Sequence, residues 1–249
     1  MGIRGAIVWE GASPIDGAPI VMIATGISGR ASANRKTGEM VQTWILRADI
    51  DPVEAMRADA DASICGSCPL RGRQVKGKRE GRACYVNVGQ APLSVWRAYA
   101  RGSYPRMDAA SVGELIAGKA IRLGAYGDPG MVPLRVLEDL VAHARVWTGY
   151  THQWRRIDRG YARLLMASAD SVADRRAARV RGYRSFMVVP ARANLGRYSR
   201  VMECASTRDR NPLSCADCGA CAGTRQGGAS GAVDVVIRAH GTGARFVGA

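Results

Sequence analysis

Residues 121–130 have the sequence IRLGAYGDPG, and this stretch decides the fold that we expect for the chain. The largely apolar run at 121–126 is typical of a buried strand, and the glycines and proline at 127–130 end it in a turn. Residues 133–146 follow with apolar side chains at helical spacing. A strand followed by a helix is the unit from which parallel sheets are built, so this stretch predicts a βα unit.

The same alternation extends outward in both directions. Strands are predicted at 19–26, 40–47, 121–126, 147–151, 164–167, 183–189, 201–203 and 233–238. Helices are predicted at 93–99, 111–120, 133–146, 158–164 and 171–181, with a short one beginning at Asp51-Pro52, whereas 1–17 has the pattern of an irregular entry. A chain of 249 residues with this alternation predicts a single α/β domain, a TIM-like (βα) barrel that is closed or incomplete. Cys-rich loop insertions are predicted at 62–90 and 204–225.

The barrel prediction gives a role to the polar residues that follow the strands, because such loops converge on one mouth where reactive groups gather. The predicted catalytic residues are Asp128, His152 and Asp170, and His152 is suited to proton transfer near neutral pH. The predicted substrate contacts at this mouth are Tyr150, Thr151 and Trp154. Two alternatives stay open: Asp128 also fits a turn-forming role in Gly-Asp-Pro-Gly, and Trp154 also fits the core.

Four cysteines near the C-terminus form one predicted metal site. They are Cys204, Cys215, Cys218 and Cys221, and the last three are spaced as Cys-x-x-Cys-x-x-Cys. In ferredoxin-like sequences this spacing supplies three ligands of a [4Fe-4S] cluster, and the fourth cysteine comes from elsewhere. Zinc also accepts four thiolates, so the sequence leaves a [4Fe-4S] cluster, zinc, and free or disulfide-bonded thiols open.

Three further cysteines form a second predicted metal site, at Cys65, Cys68 and Cys84. Three thiolates leave one position of a tetrahedral ion unfilled. Either a distant side chain such as His240 completes a closed structural site, or the fourth position stays open for a substrate, as in catalytic centres. All seven thiols could also surround one or two adjacent centres.

Composition limits the partners and the compartment. The sequence shows no secretory signal and no apolar run of membrane-spanning length, which predicts a cytoplasmic protein without a membrane partner, whose seven thiols bind metal. The formal net charge of +15 predicts a nucleic acid or a nucleotide as partner, although a GC-rich genome would also favour arginine. Arg35 and Lys36 are the predicted phosphate contacts, in a Gly- and Ser-rich loop that also fits a solvated connection.

Several motifs together resemble a family of cysteine-rich proteins of phages and mobile elements, which implies the cytoplasm of a host cell. They are ICGSCP at 64–69, CYVN at 84–87, YGDP at 126–129, GYTHQW at 149–154 and the C-terminal cysteine run. The predicted architecture also resembles radical-SAM enzymes, in which a barrel holds a three-cysteine group. Their Cys-x-x-x-Cys-x-x-Cys is absent here, so SAM is a cofactor without a motif to support it.

A second architectural resemblance is to queuine-type transglycosylases, barrels that exchange a base through an Asp nucleophile and hold one zinc ion. It implies Asp128 or Asp170 as nucleophile. The sequence thus predicts an iron–sulfur or zinc metalloenzyme that modifies a base of a nucleic acid or nucleotide. The alternatives are a DNA or tRNA base-exchange transglycosylase with structural zinc, and a non-catalytic protein that binds nucleic acid through zinc-stapled loops.

Overall fold

The structure, a computed structural model, describes residues 2–29, 34–208, 210–224, 233–240 and 244–247. Its strands are β1 (Gly5–Ala12), β2 (Pro19–Thr25), β3 (Met40–Arg47), β4 (Arg73–Val75), β5 (Lys78–Glu80), β6 (Ala120–Tyr126), β7 (Val146–Thr151), β8 (Met166–Ala169), β9 (Ser185–Val189), β10 (Val201–Glu203) and β11 (Asp234–Arg238). Its α-helices are α1 (Pro52–Arg57), α2 (Ala62–Cys65), α3 (Ala91–Ala100), α4 (Ala109–Leu115), α5 (Leu134–Val141), α6 (Val172–Val180) and α7 (Cys215–Cys218). Short 3-10 helices lie at Pro69–Arg71, Pro129–Met131, Gln153–Arg155, Arg159–Arg163, Leu195–Arg197, Ala205–Thr207 and Ala244–Phe246.

One mixed sheet of nine strands forms the centre of the fold, in the order β1-β2-β3-β6-β7-β8-β9-β11-β10. The pairs β1·β2 and β2·β3 are antiparallel, and every later pair in this sheet is parallel. The strands β4 and β5 form a separate antiparallel hairpin inside the first Cys-rich insertion. Residues 209 and 225 of the second insertion lie outside the described residues.

The prediction of a TIM-like barrel is wrong. Within the described ranges, β1 and β10 are edge strands that each pair on one side, so the sheet is open. The parallel strands from β3 to β9 do follow one another in chain order, as they would in a barrel, and this is why the local pattern suggested one. Closure needs the first and last strands to pair, and here an antiparallel hairpin and β10 occupy those two edges.

The two faces of the sheet differ because side chains alternate along each strand. On β6 and β7, Ile121, Leu123 and Trp147 pack in the main core with the apolar faces of α5 and α6. The other face is covered in part by the C-terminal cysteine segment: Ala216 packs on Val146, and the thiol of Cys221 lies in a cluster with Tyr150. We call this second face the thiol-bearing face.

Many of the predicted elements are confirmed, and two predictions at element starts are wrong. Asp51 caps α1 with Pro52 at its first turn, and Ser171 caps α6. Residues 1–17 contain β1 instead of an irregular entry. The helix predicted at 111–120 begins at Ala109, because Asp108 accepts the N–H of Ser111 and so supplies the cap.

Buried charge fixes α6 to the sheet. Asp234, 1% exposed, accepts hydrogen bonds from Arg175 Nε (2.5 Å), Arg179 Nε (3.0 Å) and the backbone N–H of Ser185 (2.8 Å). One carboxylate thus joins a helix to two neighbouring strands. No helix among the described residues has the length and apolar character needed to cross a bilayer.

Candidate metal and substrate site

The loops after four neighbouring parallel strands meet at one edge of the sheet. The carboxyl ends of parallel strands lie at the same edge, so residues that follow β3, β6, β7 and β8 are brought together. The first cysteine group follows β3, Asp128 follows β6, His152 follows β7 and Asp170 follows β8. The open sheet therefore gathers the three predicted catalytic residues and the first cysteine group at one edge, because this needs parallel neighbours and not closure.

The side chain of His152 contacts residues from two neighbouring loops at this edge. Its Nε2 atom lies 4.0 Å from Cys68 Sγ and 3.4 Å from Asp170 Oδ1. Burial acts to lower the pKa of His152, but the contacts with Asp170 and Cys68 outweigh it and raise the pKa to about 10. The side chain of Asp170 is 43% exposed, so this carboxylate is open to solvent beside the imidazole.

The three thiols of the first group are near enough for their charges to affect one another. Burial raises the pKa of Cys65 well above its usual value, and negative charge on Cys68 or Cys84 raises it further. Burial also raises the pKa of Cys84, although the cation of Arg82 and a backbone hydrogen bond from Val86 oppose the shift. Thiols that are this costly to ionise when bare are the kind that a bound cation stabilises as thiolates.

A buried hydroxyl lies near two of these thiols, Cys65 and Cys84. Tyr126 is 4% exposed, and its hydroxyl has no hydrogen-bond partner among the described residues. Burial raises the pKa of Tyr126, and charge on Cys65 and Cys84 raises it further, which places the hydroxyl near both sulfurs. An unpaired buried hydroxyl is costly, so its position beside the thiols indicates a group that would complete the site.

An ion-pair network holds the first cysteine loop in place. Asp61 accepts hydrogen bonds from Arg71 Nη2 (2.6 Å) and Arg79 Nη2 (2.9 Å), and the same two guanidinium groups bind Asp59 at 2.6 and 2.9 Å. The network ties the β4–β5 hairpin to the chain just before Cys65. A groove of about 690 Å³ lies beside it, with Cys68 and Arg71 in its wall, so Cys68 is reached from an open surface.

Asp128 is placed as a positioning residue. It is 7% exposed, its Oδ1 accepts the N–H of Gly130 at 2.8 Å and its Oδ2 accepts the N–H of His152 at 2.8 Å. Burial raises its pKa, and the hydrogen bond with Thr151 opposes that shift. Each oxygen accepts a bond from the backbone and the side chain is buried, so the contacts of Asp128 hold the loops around His152, and its expected proton-transfer or nucleophilic role stays a prediction.

The predicted substrate contacts are divided between two faces. Thr151 is 1% exposed and accepts the N–H of Gln153 at 2.9 Å. Trp154 is also 1% exposed and donates from Nε1 to Ser168 O at 3.0 Å, so it belongs to the core and cannot stack a base. Tyr150 points to the thiol-bearing face, where it packs in one cluster with Cys221.

Arg35 and Lys36 lie at the opposite edge of the sheet. They are exposed in the loop that leads into β3, and Lys36 O accepts the N–H of Cys215 at 2.9 Å. The carboxyl edge lies roughly 20 Å away along a strand of this length. The two cations therefore do not join the residues around His152, because β2 runs antiparallel to β3 and delivers its following loop to the amino edge.

The second cysteine group lies on the thiol-bearing face. Cys204, Cys215, Cys218 and Cys221 line one cavity together with Tyr150. Burial raises the pKa of Cys215 to about 11 and that of Cys221 to about 12, and the charges of the other thiols in the group add to both shifts. Ser214 caps α7 and Gly219 ends it with φ +63°, so the helix is a single turn that carries Cys215 and Cys218.

Neither cysteine group has its side chains arranged as the ligands of one metal ion. No set of three or more His, Cys, Asp or Glu side chains in the described ranges has the spacing of a metal site. The number and type of donors still match a thiolate site, four in one group and three with an adjacent imidazole in the other.

Sequence reasoning missed three side chains near the thiols: Tyr126, Tyr85 and Arg122. Tyr85 directly follows Cys84, and Arg122 lies in β6 between Ile121 and Leu123. A charged residue inside an otherwise apolar strand was the available signal for Arg122. His240, suggested as a distant ligand, instead packs its ring edge-on against Tyr85, with 6.3 Å between the centroids.

Comparisons of the chain with protein-family models, with curated protein sequences and with solved structures found no match.

Proposed function

We propose that this chain is a metalloenzyme that modifies a nucleotide or a nucleic-acid base at the carboxyl edge of its parallel strands. The observation that carries the proposal is the position of His152 Nε2, 4.0 Å from Cys68 and 3.4 Å from Asp170. The thiol of Cys68, which could bind a metal ion, the imidazole of His152 and the solvent-exposed carboxylate of Asp170 are close enough together to contact one substrate. This combination serves acid–base chemistry on a metal-polarised group.

The roles of the residues follow from their contacts. Cys65, Cys68 and Cys84 would hold the metal, which would polarise a substrate atom at its remaining position. His152 would exchange a proton with the substrate, and Asp170 would orient the imidazole and stabilise its charged form. Asp128 fixes the backbone of His152 and does not itself touch the substrate.

The net charge of +15 supports an anionic substrate, and iron–sulfur and zinc both remain candidates for the two thiol groups. The base-exchange alternative now depends on Asp170 as nucleophile, since the oxygens of Asp128 are engaged. SAM is not part of the proposal, because the chain lacks the cysteine motif that would support its use as a cofactor.

A second candidate function is a non-catalytic nucleic-acid-binding protein whose first cysteine loop is stapled by zinc. Two ligands of one tetrahedral zinc ion lie roughly 3.6 Å apart when one is a thiolate and the other an imidazole. The 4.0 Å between Cys68 Sγ and His152 Nε2 is close to that value, which favours His152 as the fourth ligand. His152 would then close the site and leave no position for a substrate.

Metal analysis of matched variants separates the two functions. The full-length protein would be purified anaerobically, and its metal content measured beside Cys84→Ser, His152→Ala and His143→Ala, the last being an exposed histidine elsewhere on the chain. A reaction centre predicts that Cys84→Ser loses metal while His152→Ala and His143→Ala retain it. Loss of metal in His152→Ala, with His143→Ala unchanged, would instead establish the closed zinc site.

A further inference from the structure

We propose that the thiol-bearing face of the sheet holds a nucleotide subsite, in which Arg122 binds the phosphate and Tyr85 stacks the base. This inference rests on the proposed function and names where its substrate would bind. Its starting observation is the location of Arg122 in β6, on the face opposite Ile121 and Leu123 of the main core.

Arg122 is a half-buried cation that forms no ion pair with any described residue. Its Nη2 donates to the hydroxyl of Tyr85 at 2.5 Å, and no carboxylate of the described residues lies within ion-pair distance of it. Removing a guanidinium from water is costly unless a charged partner compensates for the lost hydration. Its planar N–H groups match the oxygens of a phosphate, so a phosphate is the ligand that this position fits.

Tyr85 supplies an aromatic surface at the same place. Its side chain is 57% exposed, although it lies beside Arg122, whose Cζ is 6.0 Å from the ring centroid. The ring of His240 meets it edge-on at an interplanar angle of 84°. An exposed aromatic ring held beside a cation is the arrangement on which nucleobases stack, and the stacking tolerates any base because each has a π-face.

The subsite lies between the two cysteine groups. Tyr85 is next to Cys84 in the chain, and Arg122 pairs across the sheet with Thr148, which lines the cavity of the second group. Tyr150 packs on Phe186 with 4.5 Å between ring centroids and lines the same cavity. A nucleotide held by Arg122 and Tyr85 would therefore have both thiol groups within its surroundings.

The test uses the full-length protein with its bound metal, titrated calorimetrically with each common nucleoside 5′-monophosphate, with the matching nucleosides and with inorganic phosphate. We expect the monophosphates to bind. Arg122→Gln should weaken them about tenfold without affecting the nucleosides, since a charge-assisted hydrogen bond is lost. Tyr85→Leu should weaken monophosphates and nucleosides alike by about tenfold and leave phosphate unchanged.

Arg135→Gln is the matched control, because Arg135 is an exposed arginine paired with Asp139 on α5, and it should bind like the unsubstituted protein. Thermal unfolding and metal content of each variant establish that the fold and the metal are intact. The inference is overturned if the metal-containing protein binds neither monophosphate nor phosphate, or if Arg122→Gln binds monophosphates as tightly as before. That result leaves the proposed function standing, which fails separately if no metal is bound at all.

Discussion

The Oδ2 atom of Asp128 accepts a hydrogen bond of 2.8 Å from the backbone N–H of His152. These residues follow two different strands, β6 and β7, so the bond joins adjacent loops at the carboxyl edge. The other oxygen of Asp128 caps the 3-10 helix Pro129–Met131 through the N–H of Gly130. One buried carboxylate thus sets the position from which the imidazole of His152 reaches Cys68 and Asp170.

Replacement of Asp128 should therefore act through His152. We expect Asp128→Ala to lower the free energy of unfolding by about 1–3 kcal/mol, because two backbone N–H groups lose their acceptor in a buried place. Equilibrium urea denaturation measures the change. Asp158→Ala is the matched control, since Asp158 caps the 3-10 helix Arg159–Arg163 in an exposed position, and it should cost about 1 kcal/mol or less. Equal losses in the two variants would contradict this role for Asp128.

The buried carboxylate of Asp234 should be among the most sensitive positions for stability. Asp234→Ala leaves Arg175 buried without its partner, and breaking a buried ion pair in this way costs about 3–5 kcal/mol. The measurement is again the urea midpoint and slope. Asp139→Ala, which removes an exposed i,i+4 pair with Arg135, should cost less than about 0.5 kcal/mol. A loss below about 1 kcal/mol at Asp234 would show that water reaches Arg175.

The two cysteine groups should load metal independently, because one lies at the carboxyl edge and the other on the thiol-bearing face. Cys221→Ser is expected to remove the metal of the second group and leave that of the first, and Cys84→Ser to do the reverse. Elemental analysis of anaerobically purified variants gives the metal content, and a brown colour identifies iron–sulfur. Complete loss of metal in both single variants would indicate one shared centre.

The close packing of the first cysteine loop against the loop after β7 should require glycine at position 66. It has φ +54°, and a Cβ at this position would lie 2.5 Å from the side chain of Gln153, which donates to Cys65 O. Gly66→Ala is therefore expected to reduce both stability and metal content. Gly102→Ala is the matched control, because Gly102 has φ +69° and open space around it, so it should carry backbone strain of about 1 kcal/mol alone.

A smaller effect of Gly66→Ala than of Gly102→Ala would show that Gln153 moves aside easily. Unfolding measured in the presence and absence of a chelator separates the loss of stability caused by backbone strain from the loss caused by weaker metal binding. Stability lost through strain persists without metal, whereas stability lost through the metal disappears when the chelator removes it from both proteins.

Much of the local structure could be predicted because it depends on neighbouring residues. The apolar runs at 40–47 and 121–126 became β3 and β6, and Asp51-Pro52 began α1 as expected. The helix predicted to start at residue 111 starts at Ala109, because Asp108 accepts the N–H of Ser111 and caps the helix. The cysteine spacings divide the seven thiols into two groups, each in its own segment of the chain, and their binding of metal stays a prediction.

By itself the sequence determined the strands of the parallel part of the sheet, their alternation with helices and the residues that follow them, because these depend on periodicity and on turn-forming residues within a few positions. Only the tertiary structure decided that the sheet stays open, that His152 and not His240 meets Cys68, and that Asp128 spends both oxygens on backbone N–H groups. Those outcomes depend on which distant strands pair and on which side chains then face each other. Such pairings are set by the packing of the whole chain, and no local spacing encodes them.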